Sequence, residues 1–156
     1  MEQRSFLIGA TDLVYLKIDD GITMHQISKD FDFSMGHTLH AYKGDCHRLH
    51  GHNYALTVTI SSNSLDDNGF VMDFADLKVI VNGILDAELD HHFWVFRDDP
   101  RRKTLVDMGA RAVAWEPTVE NIIEYLAGEI KPKLDRVTLV RLELWETASS
   151  KAEWLP

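Results

Sequence analysis

Cysteine is almost missing from this chain of 156 residues: Cys46 stands alone, so no internal disulfide can form. That agrees with a reducing compartment. Long apolar runs are missing too. The densest, Phe93-Trp94-Val95-Phe96 and Ala112-Val113-Ala114-Trp115, are strand-sized and fall far short of the roughly 18 residues of a membrane span. The opening Met1-Glu2-Gln3-Arg4-Ser5 lacks the charged-then-apolar pattern of a signal peptide, so a cytoplasmic location is expected. Basic side chains are the scarcer sign, 16 against 25 acidic, for a net charge of -9. Over the surface as a whole this repels nucleic acid and anionic membrane, and a polyanionic substrate would need a local basic patch. There is no fixed repeat and no Gly/Ser/Pro-rich linker. With 45% apolar and 26% charged residues, collagenous, low-complexity and wholly disordered readings are excluded. The length suits one domain able to bury its own core without a disulfide or metal.

What the chain does have is histidine in one place, since five of its eight lie between His37 and His52. Around them the hydrophobic periods suggest an order of elements. Residues 27–33 alternate, with Ile27, Phe31 and Phe33 on one face and Ser28, Asp30 and Asp32 on the other. Residues 54–61 alternate more cleanly, Tyr54, Leu56, Val58 and Ile60 sharing a face. Asp66-Asp67-Asn68-Gly69 reads as a turn into Phe70-Val71-Met72, giving a hairpin. Asp73 then caps a helix with Phe74, Leu77, Val81 and Leu85 as its stripe, and Thr118 caps a second with Val119, Ile122, Ile123, Leu126 and Ile130, stopped by Pro132. Residues 93–97 and 111–115 are expected to pair as an accessory hairpin, and residues 137–145 to close the sheet. Residues 6–18 have enough apolar character for an extra strand. Two helices against a mostly antiparallel sheet define an α+β fold.

His50-Gly51-His52 places two imidazoles at i and i+2, on one side of a strand. His37 ends the preceding strand pattern and reaches the same face if the two strands are antiparallel neighbours. Three neutral imidazoles with an open position are the donor set of a catalytic zinc; the plainer alternative is loop histidines bonded to backbone. Cys46, flanked by Asp45, His47 and Arg48, is a base, a nucleophile or a fourth ligand. In Asp90-His91-His92 a carboxylate beside an imidazole can orient it and hold it charged for proton transfer, although a helix C-terminus also favours histidine. Glu146 can accept two parallel N–H bonds from an aminopyrimidine edge, or is an exposed strand-end acid. Lys43, Arg48, Arg97, Arg101, Arg102 and Lys103 are candidate phosphate contacts, with solvated surface roles for most.

Six ordered motifs carry a family resemblance: Phe33-Ser34-Met35-Gly36-His37, Cys46-His47-Arg48-Leu49-His50-Gly51-His52-Asn53-Tyr54, Val71-Met72-Asp73-Phe74-Ala75-Asp76-Leu77-Lys78, Leu89-Asp90-His91-His92, Pro117-Thr118-Val119-Glu120-Asn121 and Trp145-Glu146-Thr147. From about Met24 onward the chain resembles the 6-pyruvoyl-tetrahydropterin and 6-carboxytetrahydropterin synthases. The resemblance implies the tunnelling fold, an antiparallel four-stranded sheet with two helices on one face, three subunits joining their sheets into a barrel and two trimers stacking into a homohexamer. It implies a single domain over residues 24–156, with residues 1–23 an extension of unknown role. It implies Zn2+ at His37, His50 and His52, Cys46 as general base, Asp90 and His91 assisting from a neighbouring subunit, and Glu146 as the anchor of the pterin ring with Thr118 beside it. The Cys-x-x-x-His-Gly-His spacing is similar to that of the bacterial carboxy-forming lyases of queuosine and 7-deazaguanine synthesis, which act on 7,8-dihydroneopterin triphosphate. Two features depart from the pattern: His47 follows the cysteine where a smaller residue is expected, and residues 1–23 precede the usual start.

The rivals are a pyruvoyl-forming synthase that stops at triphosphate elimination, and a non-catalytic zinc or pterin-binding module. Cys46 separates catalysis from binding, because a binder has no use for a base beside the metal. Replacing Cys46 with Ala is expected to abolish turnover and leave the metal bound, as metal content per chain would show; loss of the metal with the thiol makes Cys46 a ligand.

Overall fold

The computed structural model describes residues 23–156. The strand expected over residues 6–18 lies outside them, as does all but Thr23 of the 1–23 extension. The described residues form one six-stranded sheet packed against helices. The strands are β1 (His25–His37), β2 (His50–Ser62), β3 (Phe93–Phe96), β4 (Arg111–Val113), β5 (Thr138–Thr147) and β6 (Ser150–Trp154), and the helices are α1 (Phe74–Glu88), α2 (Arg102–Asp107) and α3 (Val119–Ile130). The spatial order is β4-β3-β1-β2-β5-β6.

The expected four-stranded antiparallel sheet is present as β1-β2-β5-β6. Its buried face follows from the alternation: Phe31 lies opposite Leu56 and Phe33 opposite Tyr54, and Leu56 in turn opposes Leu144. Against this face pack Leu77, Val81, Ile84 and Leu85 of α1 and Ile122, Ile123, Leu126 and Ala127 of α3, in one core cluster. Each buried Val, Leu or Ile among them contributes about 1.5–3 kcal/mol, against about 1 kcal/mol for a typical cap, so packing of the stripes sets helix placement. The caps set where the helices begin. The Asp73 carboxylate accepts from Ala75 N at 2.7 Å and the Thr118 hydroxyl from Asn121 N at 3.4 Å. The opposite sheet face is polar, with Thr57 donating to Asp30 at 2.7 Å.

Three local expectations fail. Residues 70–72 form no strand, because both edges of β2 are already taken by β1 and β5. The turn before them is real: Gly69 has φ of 83°, and Asp66 closes it by accepting from the N–H groups of Asn68 and Phe70. The accessory hairpin is instead a parallel pair, Trp94 opposite Arg111 and Phe96 opposite Val113. Helix α2, which buries Leu105, crosses between β3 and β4 and returns the chain in its original direction. Phe74 opens α1 but is 49% exposed and does not join its buried stripe.

Gly36 and Gly51 are register partners between the two histidine strands. A Cβ on Gly51 would sit 2.9 Å from the Met35 carbonyl oxygen and 3.3 Å from Gly36 Cα, backbone that cannot step aside cheaply. Gly51→Ala is therefore expected to destabilise the fold by about 1–3 kcal/mol. The check is a lowered urea midpoint at unchanged slope; an unchanged midpoint would contradict the packing argument.

Candidate functional site

The β1–β2 ladder continues its buried row into the histidines: Met35 opposes His52 and His37 opposes His50. Cross-strand partners share a face, so the three imidazoles meet at the end of the core. Ring centroids are 4.4 Å apart for His37–His50, 5.1 Å for His50–His52 and 5.3 Å for His37–His52. One ligand nitrogen from each lies within 4.8 Å of the others. The antiparallel pairing assumed for His37 is thus observed.

Each inner ring is held by backbone. His37 Nδ1 lies 2.6 Å from the Pro117 carbonyl and His50 Nδ1 2.8 Å from that of Arg48. A ring nitrogen facing a carbonyl carries the hydrogen, which turns the Nε2 lone pair inward. The Nε2 atoms of His37 and His50 are buried without a hydrogen-bond partner. Native interiors rarely leave such atoms unpaired, and a cation at the meeting point satisfies both. The donor set fits a first-row divalent metal with room for a further ligand.

Electrostatics agree. Burial, above all, pushes the pKa of His37 below its ordinary value, and repulsion by His50 adds to it, against the Pro117 carbonyl and Glu146. His52 is likewise lowered, first by burial and then by His50, with Glu146 opposing. Both rings are therefore biased toward the neutral, ligating form.

Glu146 Oε1 lies 3.6 Å from His37 Nε2 and 3.8 Å from His52 Nε2. With neutral rings these are close approaches and not ion pairs. The same oxygen accepts from the Tyr54 hydroxyl at 3.1 Å. Tyr54 is 1% exposed; burial, then the charge and hydrogen bond of Glu146, and last the charge of Cys46, push its pKa far up, so the phenol stays a donor. Cys46 sits half-buried in a single 3-10 turn, Asp45–His47, and is not among the atoms that converge as ligands. Asp90 and His91 form their own pair at 2.8 Å. The Asp90 carboxylate is held below its usual range chiefly by the Ser34 N–H at 2.8 Å, and then by His91. His91 takes a φ of 60°, left-handed for a non-glycine residue. Among the described residues neither Asp90 nor His91 makes a hydrogen bond, ion pair or ring contact with the three histidines.

A family model described as 6-pyruvoyl tetrahydropterin synthase matches residues 26–155. The chain belongs to the 6-pyruvoyl tetrahydropterin synthase family. It is 33% identical to a 6-carboxy-5,6,7,8-tetrahydropterin synthase of Rickettsia typhi, over 83% of this chain and 99% of that one. It is 32% identical to a protein of the same name from Aquifex aeolicus, over 83% of this chain and 96% of that one. In fold it is similar to the 6-pyruvoyl tetrahydropterin synthase of Caenorhabditis elegans, with a TM-score of 0.64 at 22% identity, covering 86% of this chain and 97% of that one. The fold is the α+β tunnelling type of the family's structures.

Within this family frame, Thr118 caps α3 next to Pro117, whose carbonyl orients His37. The residue patterns had given Thr118 only the capping role. Of the basic residues considered for phosphate, Arg101 is committed to Asp99 at 2.7 Å, and Arg48, Arg97 and Lys103 face Asp45, Asp98 and Asp107. The sequence reading missed Tyr54 as a site residue. The signal was there, because alternation puts His50, His52 and Tyr54 on one side of β2. It also missed Glu116, whose carboxylate accepts from the N–H groups of His40 and Ala41 at 2.9 Å each; no local pattern marks it.

A pH dependence follows. His37 and His52 have folded pKa values below their ordinary 6.5, so the unfolded chain takes up their protons first as pH falls. The stability they contribute is present above the unfolded pKa and lost as pH falls through the folded values. Metal-free protein is expected to show a lower urea midpoint at pH 5.5 than at pH 7.5, a window about or above the ordinary carboxylate range. Equal midpoints would contradict neutral burial of the two rings.

Proposed function

We propose that the chain is a zinc-dependent lyase that converts 7,8-dihydroneopterin triphosphate to 6-carboxy-5,6,7,8-tetrahydropterin, releasing triphosphate and acetaldehyde. The observation that carries this reading is the convergence of three imidazoles at the end of the core, with the Glu146 carboxylate beside two of them. The names of the Rickettsia and Aquifex relatives support the carboxy-forming branch. The activity is assigned to residues 24–156, in the cytoplasm, as a step of queuosine and 7-deazaguanine synthesis.

His37, His50 and His52 would hold the zinc. When bound, it supplies a Lewis acid that polarises substrate oxygen. Glu146 accepts N–H bonds from the pterin ring, and the Tyr54 hydroxyl holds one of its oxygens in place. The Thr118 end of α3 flanks the ring. Cys46, near enough to Tyr54 for its charge to be felt there, takes the proton from the substrate side chain as general base. Asp90 holds His91 oriented for proton transfer. We assign that pair to the site of a neighbouring subunit, as the family resemblance implies, in a trimer or a dimer of trimers whose sheets join into a barrel. Among the described residues the sheet ends at β4 and β6, edges that suit such joining.

The test is incubation of zinc-loaded protein with 7,8-dihydroneopterin triphosphate and identification of products by mass spectrometry. The expected result is the carboxylated tetrahydropterin with acetaldehyde. A pyruvoyl product moves the chain to the elimination-only branch, and no product with zinc bound leaves a binding module. In the same assay Glu146→Gln should raise KM about tenfold or more, from the loss of a charged acceptor worth roughly 1.5–3 kcal/mol, and keep the zinc. Unchanged KM would remove Glu146 as the ring anchor.

A further inference from the structure

Residues 38–49 link the two histidine strands and carry Cys46, with only one 3-10 turn of regular structure of their own. The loop bonds to itself, with Leu39 N–H donating to the Cys46 carbonyl at 2.9 Å, and two further ties reach it from outside. Glu116 provides one, through the N–H groups of His40 and Ala41. The other is built on Asp99, whose side chain is fully buried. Its carboxylate accepts from Arg101 Nε at 3.0 Å, from Nη2 at 2.7 Å and from the Arg101 backbone N–H at 2.7 Å. That fork holds the guanidinium flat and aims its other hydrogens at the loop. Nη1 donates to the His47 carbonyl at 2.8 Å and Nη2 to the Thr38 hydroxyl at 2.9 Å. Thr38 closes the ring by donating to the same His47 carbonyl at 2.8 Å. Thr38 follows His37, and His47 follows Cys46.

We infer that Arg101, fixed by Asp99, is a positioning residue that sets the Cys46 thiol relative to the histidine centre by clamping Thr38 to the His47 carbonyl. The consequence for turnover rests on the reading of Cys46 as the base; the clamp itself does not. Arginine suits the task because one rigid planar group bonds a carboxylate, a hydroxyl and a carbonyl together. A lysine at this position keeps the charge beside Asp99 and loses the span. The Arg101 donors face Asp99, Thr38 and His47.

Because Cys46 is the chain's single cysteine, its alkylation by iodoacetamide reports on this loop alone and needs no substrate. Two variants of the metal-loaded protein break the ring differently: Arg101→Lys keeps the ion pair, and Thr38→Val removes the central hydroxyl and leaves Arg101–Asp99 intact. Each should raise the alkylation rate at fixed pH roughly fivefold or more, by local opening. Circular dichroism and metal per chain should stay near wild type. The double variant should alkylate no faster than the quicker single one, since both break the same ring. In the pterin assay kcat should fall about ten- to a hundredfold with KM unchanged, the mark of misplacement rather than lost binding. Wild-type alkylation in folded Arg101→Lys overturns the clamp, even if Thr38→Val does not fold. Unchanged kcat in variants that alkylate fast overturns its role in turnover. Faster alkylation with no turnover by wild type leaves the clamp standing and removes the lyase reading instead.

Discussion

The register of the β1–β2 ladder is the constraint on which the rest depends. His37 opposite His50, Gly36 opposite Gly51 and Met35 opposite His52 put three imidazoles in the row that lower down holds Phe33, Tyr54 and Leu56. A slip by one residue would send one strand's histidines to the polar face and its aromatics into water. The hydrophobic core therefore fixes the geometry of the histidine cluster by itself. Gly51 permits it, because only a bare Cα lets the Met35 carbonyl come so close.

Burial then does chemical work. Taking His37 down to 2% exposure costs an imidazole its hydration, and the structure offsets this with the Pro117 carbonyl on one nitrogen. The other nitrogen is left bare and neutral, as a metal ligand must be. Tyr54 obeys the same logic with the opposite outcome, since burial beside Glu146 keeps its proton on. The same buried end of the core thus holds imidazole lone pairs and, beside them, a carboxylate fixed by a phenol. The α2 crossover, an addition at the sheet's edge, supplies Arg101 and Asp99 to the loop that carries Cys46.

Much of this was legible in the residue order. Alternation over residues 27–33 and 54–61 reported strands because one face of each is buried, and the stripes on α1 and α3 reported helices for the same reason. His-x-His on a strand needs only the two-residue period to place both rings together. The misses fall where neighbours, not periods, decide. Residues 70–72 have strand-like composition and no free edge to pair with. Residues 93–97 and 111–115 pair as expected but in parallel, because a short helix between them was not visible in its few apolar positions. Phe74 fits the stripe by spacing and faces solvent by position.

By itself the sequence determined the fold class, the two helices with their caps, the faces of the histidine strands and the family, since these rest on local period, capping chemistry and ordered motifs. Tertiary structure alone decided that Glu146, 94 residues from His52, reaches the same point as the imidazoles, that Tyr54 holds it, and that Pro117 sets the His37 tautomer. It also decided that Arg101 donates to the His47 carbonyl of the loop. These are contacts between segments remote in the chain, and their distances follow from how β5, α2 and α3 pack against β1 and β2, which no local pattern encodes.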